Sequence, residues 1–268
     1  MTSEGRLAGK RALVTGSGTG LGREIGLEFG RQGADVVFHY SRSAKGAHSA
    51  VEATQSLGRR ATVFQADLSR VEACLELVDR ATEFLGGLDV LVNNAGISET
   101  GAFLEVTPQF FDRLYHVNIR AQFFCAQRAV KHMLEAGRGG VVINTTSSHA
   151  QSSLPGFAVY AGTKGAIWAW TQQLAVELAP QGIRVNGICP GWIEVESFHT
   201  EIPDFDPVAV GKLIPYQRMG KPIDIAKGCV YLACEDSDYM VGHMLVVDGG
   251  TMAKMALPDH SKEEHERA

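Results

Sequence analysis

Tyr160 and Lys164 stand four residues apart, the spacing that puts two side chains one turn apart on one helix face. A phenol titrates near ~10 in water, too high for a base at neutral pH, and a neighbouring ammonium favours the phenolate and lowers that value. The pair predicts an acid/base that moves a proton on or off a hydroxyl or carbonyl oxygen. Alone it would be an ordinary surface pair. A second constellation changes its meaning: Thr15-Gly16-Ser17-Gly18-Thr19-Gly20-Leu21-Gly22 lies between a strand-like run and a helical pattern. Such a loop lets backbone N–H groups and a helix N-terminus approach a pyrophosphate that side chains would hold off. In that position the nucleotide reading outweighs that of a plain tight turn.

The elements that position these groups follow from periodicity. Short β-branched runs at 12–15, 35–39, 61–66, 89–92, 141–144, 183–188 and 244–247 alternate with helical patterns. Leu21, Ile25 and Phe29 recur at i, i+4 as one helix face, and Ser69 with Glu72 has capping-box spacing. Thr107 before Pro108 predicts a cap opening one long helix to about Glu135; another runs from about Ala158 to Ala179, ended by Pro180. Continuous apolar strands separated by helices predict an α/β, doubly wound, mostly parallel seven-stranded sheet with helices on both faces. Right-handed crossovers place all strand carboxyl ends, and hence the ligands, along one edge. One domain is expected over 1–258, with a lid at about 192–215 marked by Pro203, Pro207 and Pro215, and a frayed polar tail at 259–268.

Composition narrows the class. With 25 Lys+Arg against 30 Asp+Glu the net charge is -5, which carries no nucleic-acid footprint. The N-terminal residues lack an apolar signal region and no 18-residue apolar stretch occurs, so neither secretion nor a membrane span is expected. Five cysteines without C-x-x-C spacing read as reduced, mostly buried thiols in a cytoplasmic protein, and no His/Asp/Glu clustering supports a metal. Glycine is in excess, 30 of 268 residues, and much of that excess falls at strand ends facing the predicted ligand edge.

The spacing Thr-Gly-x-x-x-Gly-x-Gly differs from the general dinucleotide fingerprint and resembles the short-chain dehydrogenase/reductase family. The family's other motifs occur in order over roughly residues 8 to 252: Asp67, Asn93-Asn94-Ala95-Gly96, Asn118, Ser147, Tyr160-x-x-x-Lys164 and Pro190-Gly191. The resemblance implies a Rossmann-like fold and an NAD(P)-dependent oxidoreductase that interconverts a secondary alcohol, or a sugar or polyol hydroxyl, with a carbonyl. Tyr160 would handle the proton, Ser147 orient the substrate oxygen, Lys164 tune the phenol, and Asn118 hold a water linking Lys164 to solvent. Within the class a sugar or polyol dehydrogenase leads and a 3-oxoacyl-thioester reductase is the alternative. A non-catalytic dinucleotide sensor is a reading of another class, against which the intact Ser147, Tyr160 and Lys164 argue.

By the same resemblance, Gly16, Ser17, Gly18, Thr19, Gly20 and Leu21 would surround the pyrophosphate, Asn94, Ala95 and Gly96 pass the adenosine and ribose, and Asp67 and Leu68 lie near the adenine. Pro190, Gly191 and Ile193 would join Tyr160 and Lys164 around the nicotinamide; where many relatives carry a threonine this chain has Val195, so a backbone amide or Ser197 must replace that contact. The second strand ends in His39-Tyr40-Ser41-Arg42, with Tyr40 where an NAD-binding acid would stand. Tyr40, Ser41 and Arg42 thus favour NADP over NAD. Ser147, His149, Tyr160, Trp192 and Phe198, with His199, are placed to line a small-molecule cleft. Apolar residues such as Phe123, Phe124, Ile167, Trp168 and Trp170 spread around the long helices, compatible with a homotetramer.

Overall fold

A computed structural model describes residues 5–254; the tail expected at 259–268 lies outside them. Seven strands form one sheet: β1 (Arg11–Val14), β2 (Asp35–Tyr40), β3 (Ala61–Gln65), β4 (Val90–Asn93), β5 (Gly140–Thr145), β6 (Ile183–Pro190) and β7 (Met244–Val247). Their order is β3-β2-β1-β4-β5-β6-β7 and every pairing is parallel, so the sheet is wholly rather than mostly parallel. Chain order reverses direction between β1 and β4, and the loops after these two strands meet there: Thr15 N–H donates to the Val92 carbonyl at 3.0 Å.

Both faces of the sheet are covered because its strands are apolar on both faces. The α-helices of the described residues are α1 (Gly20–Arg31), α2 (Ala44–Ser56), α3 (Val71–Leu85), α4 (Pro108–Tyr115), α5 (Ala121–Glu135), α6 (Ala158–Leu178), α7 (Phe198–Glu201), α8 (Pro207–Gly211) and α9 (Pro222–Ala233). One core layer packs Ile25 and Phe29 of α1 and Ile225, Cys229 and Leu232 of α9 against Val14, Phe38, Val92 and Ile143. The other packs Leu77 and Val78 of α3 and Ala126 and Met133 of α5 against Leu13, Leu91, Val142 and Val185. All five cysteines are free and buried. Among the described residues no helix is long and apolar enough to cross a membrane.

Two sequence expectations are corrected. The helix expected to run unbroken from Thr107 is capped as expected, the Phe110 amide donating to Thr107 Oγ1, but His116–Arg120 forms a turn of π-helix between α4 and α5. Wide turns of this kind concentrate at functional sites, and this one carries Asn118. Ser69 and Glu72 form no capping box: α3 begins at Val71 without a side-chain cap, and Asp67 Oδ1 accepts the Ser69 amide instead. Asp67, two residues earlier, satisfies the donor that the box would have served.

Candidate active site

The glycine loop leaves β1 through Gly16, whose φ of +63° favours glycine; an added Cβ would also stand 2.7 Å from the Ala95 Cα. Thr15 fastens this loop to the one after β4: its Oγ1 accepts the amides of Asn94 and Ala95, each at 3.0 Å. Asn94 returns the tie, its Nδ2 donating to the Thr15 and Gly16 carbonyls. His39 fastens it to β2 and β3: Gly16 N–H donates to Nδ1 at 2.9 Å, and the Ala66 carbonyl lies 3.1 Å from Nε2. Because Nδ1 must accept, Nε2 carries the proton, and burial pushes the ring's pKa down to about 4. Thr15 and His39 were not among the expected site residues; Thr15 opens the glycine motif, but nothing in the sequence marks His39.

The expected cofactor residues divide by what they face. Ser17 is turned inward, its hydroxyl donating to the Val14 carbonyl and accepting the His39 amide, so its side chain braces the loop and does not reach a ligand. Gly18, Thr19 and Arg42 line one open cleft at the start of α1 with Arg23, Ser43, Lys45 and Glu196. Arg23 is fixed there by the Gly46 carbonyl and Ser49 hydroxyl. Tyr40 ends β2, the Ser41 carbonyl accepts Gln65 Nε2, and Leu21 packs on the core. Asp67 lies by Arg42, whose charge, after the Ser69 hydrogen bonds, helps hold its carboxyl below the usual range; Leu68 beside it is buried. Gly96 follows Ala95 against Asn118 Oδ1. Pro190 ends β6, Gly191 rests on Asp248, and Ile193 bridges to Gly220.

At the carboxyl ends of β5 and β6 the reacting groups converge. Ser147 follows β5 and is nearly buried; its Oγ accepts the His149 amide. The hydroxyls of Ser147 and Ser98 are near enough to the Tyr160 phenol to favour its ionised form. Ser98, which follows Asn94-Ala95-Gly96-Ile97 directly, is a second neighbour that the motif did not point to. Lys164 Nζ stands 5.6 Å from the centre of the Tyr160 ring and donates to the Thr145 carbonyl. Asn118 is fully buried, its amide clasping both backbone groups of Ile97 and donating to Thr163 Oγ1. The expected lowering of the Tyr160 pKa is not found: burial raises it, outweighing the Ser147 and Ser98 hydrogen bonds that act the other way. Burial likewise lowers Lys164 to about 8.

Of the expected cleft residues, His149 stacks on Phe157 at 4.4 Å and stands edge-on to Tyr160 at 5.6 Å, so the three rings form one wall. Trp192 is partly exposed beyond Gly191. Phe198 packs edge-on to Phe205, and His199 pairs with Glu194. These last residues belong to the excursion after β6, whose base is closed by the Ile193–Gly220 bridge, so the expected lid extends to about residue 219. Val195 packs toward Gly20, and the group on the glycine loop is Glu196, whose Oε2 accepts from the Gly20 amide and Thr19 Oγ1, each at 3.2 Å. The donors at the start of α1 thus hold an oxyanion.

With this geometry, comparison with known proteins is informative. The family described as enoyl-(acyl carrier protein) reductase matches residues 16–252. Versicolorin reductase of Emericella nidulans is 36% identical over 256 residues, 91% of this chain and 96% of its own. Tetrahydroxynaphthalene reductase of Pyricularia oryzae is 35% identical over 256 residues, 91% and 90% of the two chains. Among solved structures, a short-chain dehydrogenase of Burkholderia cenocepacia in complex with NADP superposes with a TM-score of 0.85 at 36% identity, covering 92% of this chain and 99% of that one. Acetoin dehydrogenase of Salmonella typhimurium gives 0.87 at 32%, covering 93% and 98%. The chain belongs to the short-chain dehydrogenase/reductase family and is an NAD(P)-dependent oxidoreductase.

Proposed function

We propose that the enzyme reduces a ketone on a flat, largely apolar ring system, or oxidises the corresponding alcohol, and uses NADP(H). The observation that carries the chemistry is the partly buried Tyr160 phenol, flanked by the Ser147 and Ser98 hydroxyls and backed by Lys164. Held in its protonated form by burial, the phenol donates a proton to a carbonyl oxygen placed against it, and Ser147 Oγ orients that oxygen. Lys164, fixed on the Thr145 carbonyl, supplies the positive charge that offsets the phenolate left behind. Asn118 holds the loop bearing Ser98 against α6 and so sets the distance between hydroxyl and phenol. The nicotinamide group, when bound, supplies or takes up the hydride.

Gly16, Gly18, Thr19 and Gly20 would hold its pyrophosphate, and Asn94, Ala95, Gly96, Asp67 and Leu68 its adenosine end. The preference for NADP is supported by three cations, Arg23, Arg42 and Lys45, in one cleft beside Gly18 and by Tyr40 in place of an acid at the end of β2. A charge-assisted hydrogen bond of roughly 1.5–3 kcal/mol amounts to about tenfold to a hundredfold in affinity. Arg42→Ala should lower kcat/KM for NADP(H) by that factor and leave NAD(H) nearly unchanged; a wild-type preference for NAD above about tenfold would overturn the assignment.

The ring-bearing substrate is favoured over a polyol by the His149, Phe157 and Tyr160 wall, which offers faces rather than hydrogen bonds. Exposed Phe103 and Leu104 follow β4, Leu154 follows β5, and Trp192, Ile202, Val208 and Leu213 follow β6, all in segments that leave strand carboxyl ends. Relatives named for versicolorin and tetrahydroxynaphthalene support the same class. Fused-ring ketones, polyols and a 3-oxoacyl thioester should be compared by nicotinamide absorbance. The ring ketone is expected to lead by at least about tenfold in kcat/KM; a leading polyol or thioester refutes the substrate class. The partly exposed Phe123, set edge-on to Trp170 across α5 and α6, supports a homotetramer, which sedimentation would contradict by giving a monomer. The free buried thiols are compatible with a cytoplasmic enzyme.

A further inference from the structure

The excursion between Val195 and Leu213 is almost self-contained. Among the described residues, its backbone hydrogen bonds stay within it except for the Ile214 amide to the Gly211 carbonyl at its end, and its aromatic contacts are the Phe198–Phe205 and His199–Phe205 ring pairs. His199 adds an ion pair to Glu194 at its base. Asp206 caps α8 from within the segment. Asp204, at its middle, has a φ of +51°, and Gln217, beyond its end, +59°, so both non-glycine residues lie in the left-handed region. Apart from His199 to Glu194 at the base, one side chain among the described residues ties 195–213 to the rest of the protein by hydrogen bonds: Glu196, through Oε2 to the Gly20 amide and Thr19 Oγ1.

Those two donors open α1, where the helix dipole and free N–H groups favour an anion. Arg23, Arg42 and Lys45 share the cleft with Glu196, so the carboxylate sits where the local field is most favourable to it. We propose that Glu196 is a built-in competitor for the pyrophosphate position, a latch that holds the lid on the glycine loop and must be released when a dinucleotide takes the same donors. Cofactor binding and lid release are then one coupled equilibrium, because two oxyanions cannot share one pair of donors and would repel each other at that distance. The latch deepens the functional reading above and rests on its placement of the pyrophosphate at Gly20.

The test is binding rather than turnover. Glu196→Gln keeps the shape and removes the charge, while Glu196→Ala removes both. With the latch in place, both variants should bind NADPH about tenfold more tightly than the wild type in a fluorescence titration, equivalent to about 1.4 kcal/mol. In the absence of added nucleotide, hydrogen exchange of the 195–213 amides should be faster in both variants than in the wild type, and adding NADPH to the wild type should produce the same acceleration. Unchanged or weaker binding in Glu196→Ala, or an exchange rate unaffected by the substitution, overturns the latch. A wild type that binds neither NADPH nor NADH overturns the functional reading instead, and exchange in the nucleotide-free proteins still decides whether Glu196 holds the lid. Circular dichroism of both variants separates either result from misfolding.

Discussion

His39 offers a sharp test of how the glycine loop is held, because its ring works only in one protonation state. Buried on β2, it accepts from the Gly16 amide through Nδ1 and donates to the Ala66 carbonyl through Nε2. A proton on Nδ1 would set two donors face to face, and burial has already moved the pKa from 6.5 to about 4. In the unfolded chain the ring takes up a proton near its ordinary value, so between about pH 6.5 and 4 the unfolded state binds more protons than the folded one. Stability therefore falls as pH falls through that window and is insensitive to this group above it. The gap of about 2.5 units corresponds to about 3 kcal/mol at 1.36 kcal/mol per unit. His39→Asn keeps an acceptor for Gly16 and removes the titration. Urea unfolding from pH 8 to pH 4, followed by tryptophan fluorescence, should show the wild type's advantage over the variant shrinking by about 3 kcal/mol across that range. Other acid-sensitive groups, such as Asp89 beside Arg11, act on both proteins and cancel in the difference. A difference that stays constant across the range would refute the assigned tautomer and burial.

Thr15→Val strips the acceptor from two buried amides, those of Asn94 and Ala95, at about 1–3 kcal/mol each, so urea unfolding should show a clear loss that Thr15→Ser does not share. Gly22→Ala would place a Cβ 2.3 Å from Asn94 Nδ2 and from the Gly16 carbonyl; NADPH titration should show binding lost by at least about tenfold, and unaltered affinity would show that the loop has slack. Tyr160→Phe should lower kcat/KM by roughly 10²–10⁴ with NADPH binding retained, since the phenol moves the proton; equal turnover would remove the mechanism.

What was legible in the sequence was whatever leaves a local trace. Apolar runs located all seven strands to within two residues, since strands buried on both faces must be apolar throughout. The glycine loop, Tyr160 and Lys164 are legible because their spacing is fixed by one turn or one helix, whereas Ser147 is assigned through the family resemblance. Helices α2 and α9 left weaker traces: α2 buries only Ala47, Ala50 and Thr54, and α9 is apolar around most of its circumference, so neither shows a clear amphipathic stripe. The π-turn at Asn118 left none, as no glycine or proline marks it and tertiary ties to Ile97 and Thr163 select it. Ser98, His39 and Glu196 act through partners 62, 23 and 176 residues away respectively, taking Tyr160, Gly16 and Gly20 as those partners, and no local pattern carries such information.

The electrostatics of the reacting pair give the resting site a direction. Lys164 is almost wholly buried with no carboxylate beside it among the described residues; its hydrogen bond is to a backbone carbonyl, and it loses its charge above about pH 8. Tyr160 stays protonated beyond the ordinary phenol range because burial raises its pKa. At neutral pH the two groups are therefore an ammonium and a neutral phenol, the form needed to deliver a proton to a carbonyl oxygen. The reverse role requires a phenolate, which burial of Tyr160 disfavours. Alcohol oxidation then needs a further positive charge beside the phenol, whereas ketone reduction uses the protonation state that the fold already provides.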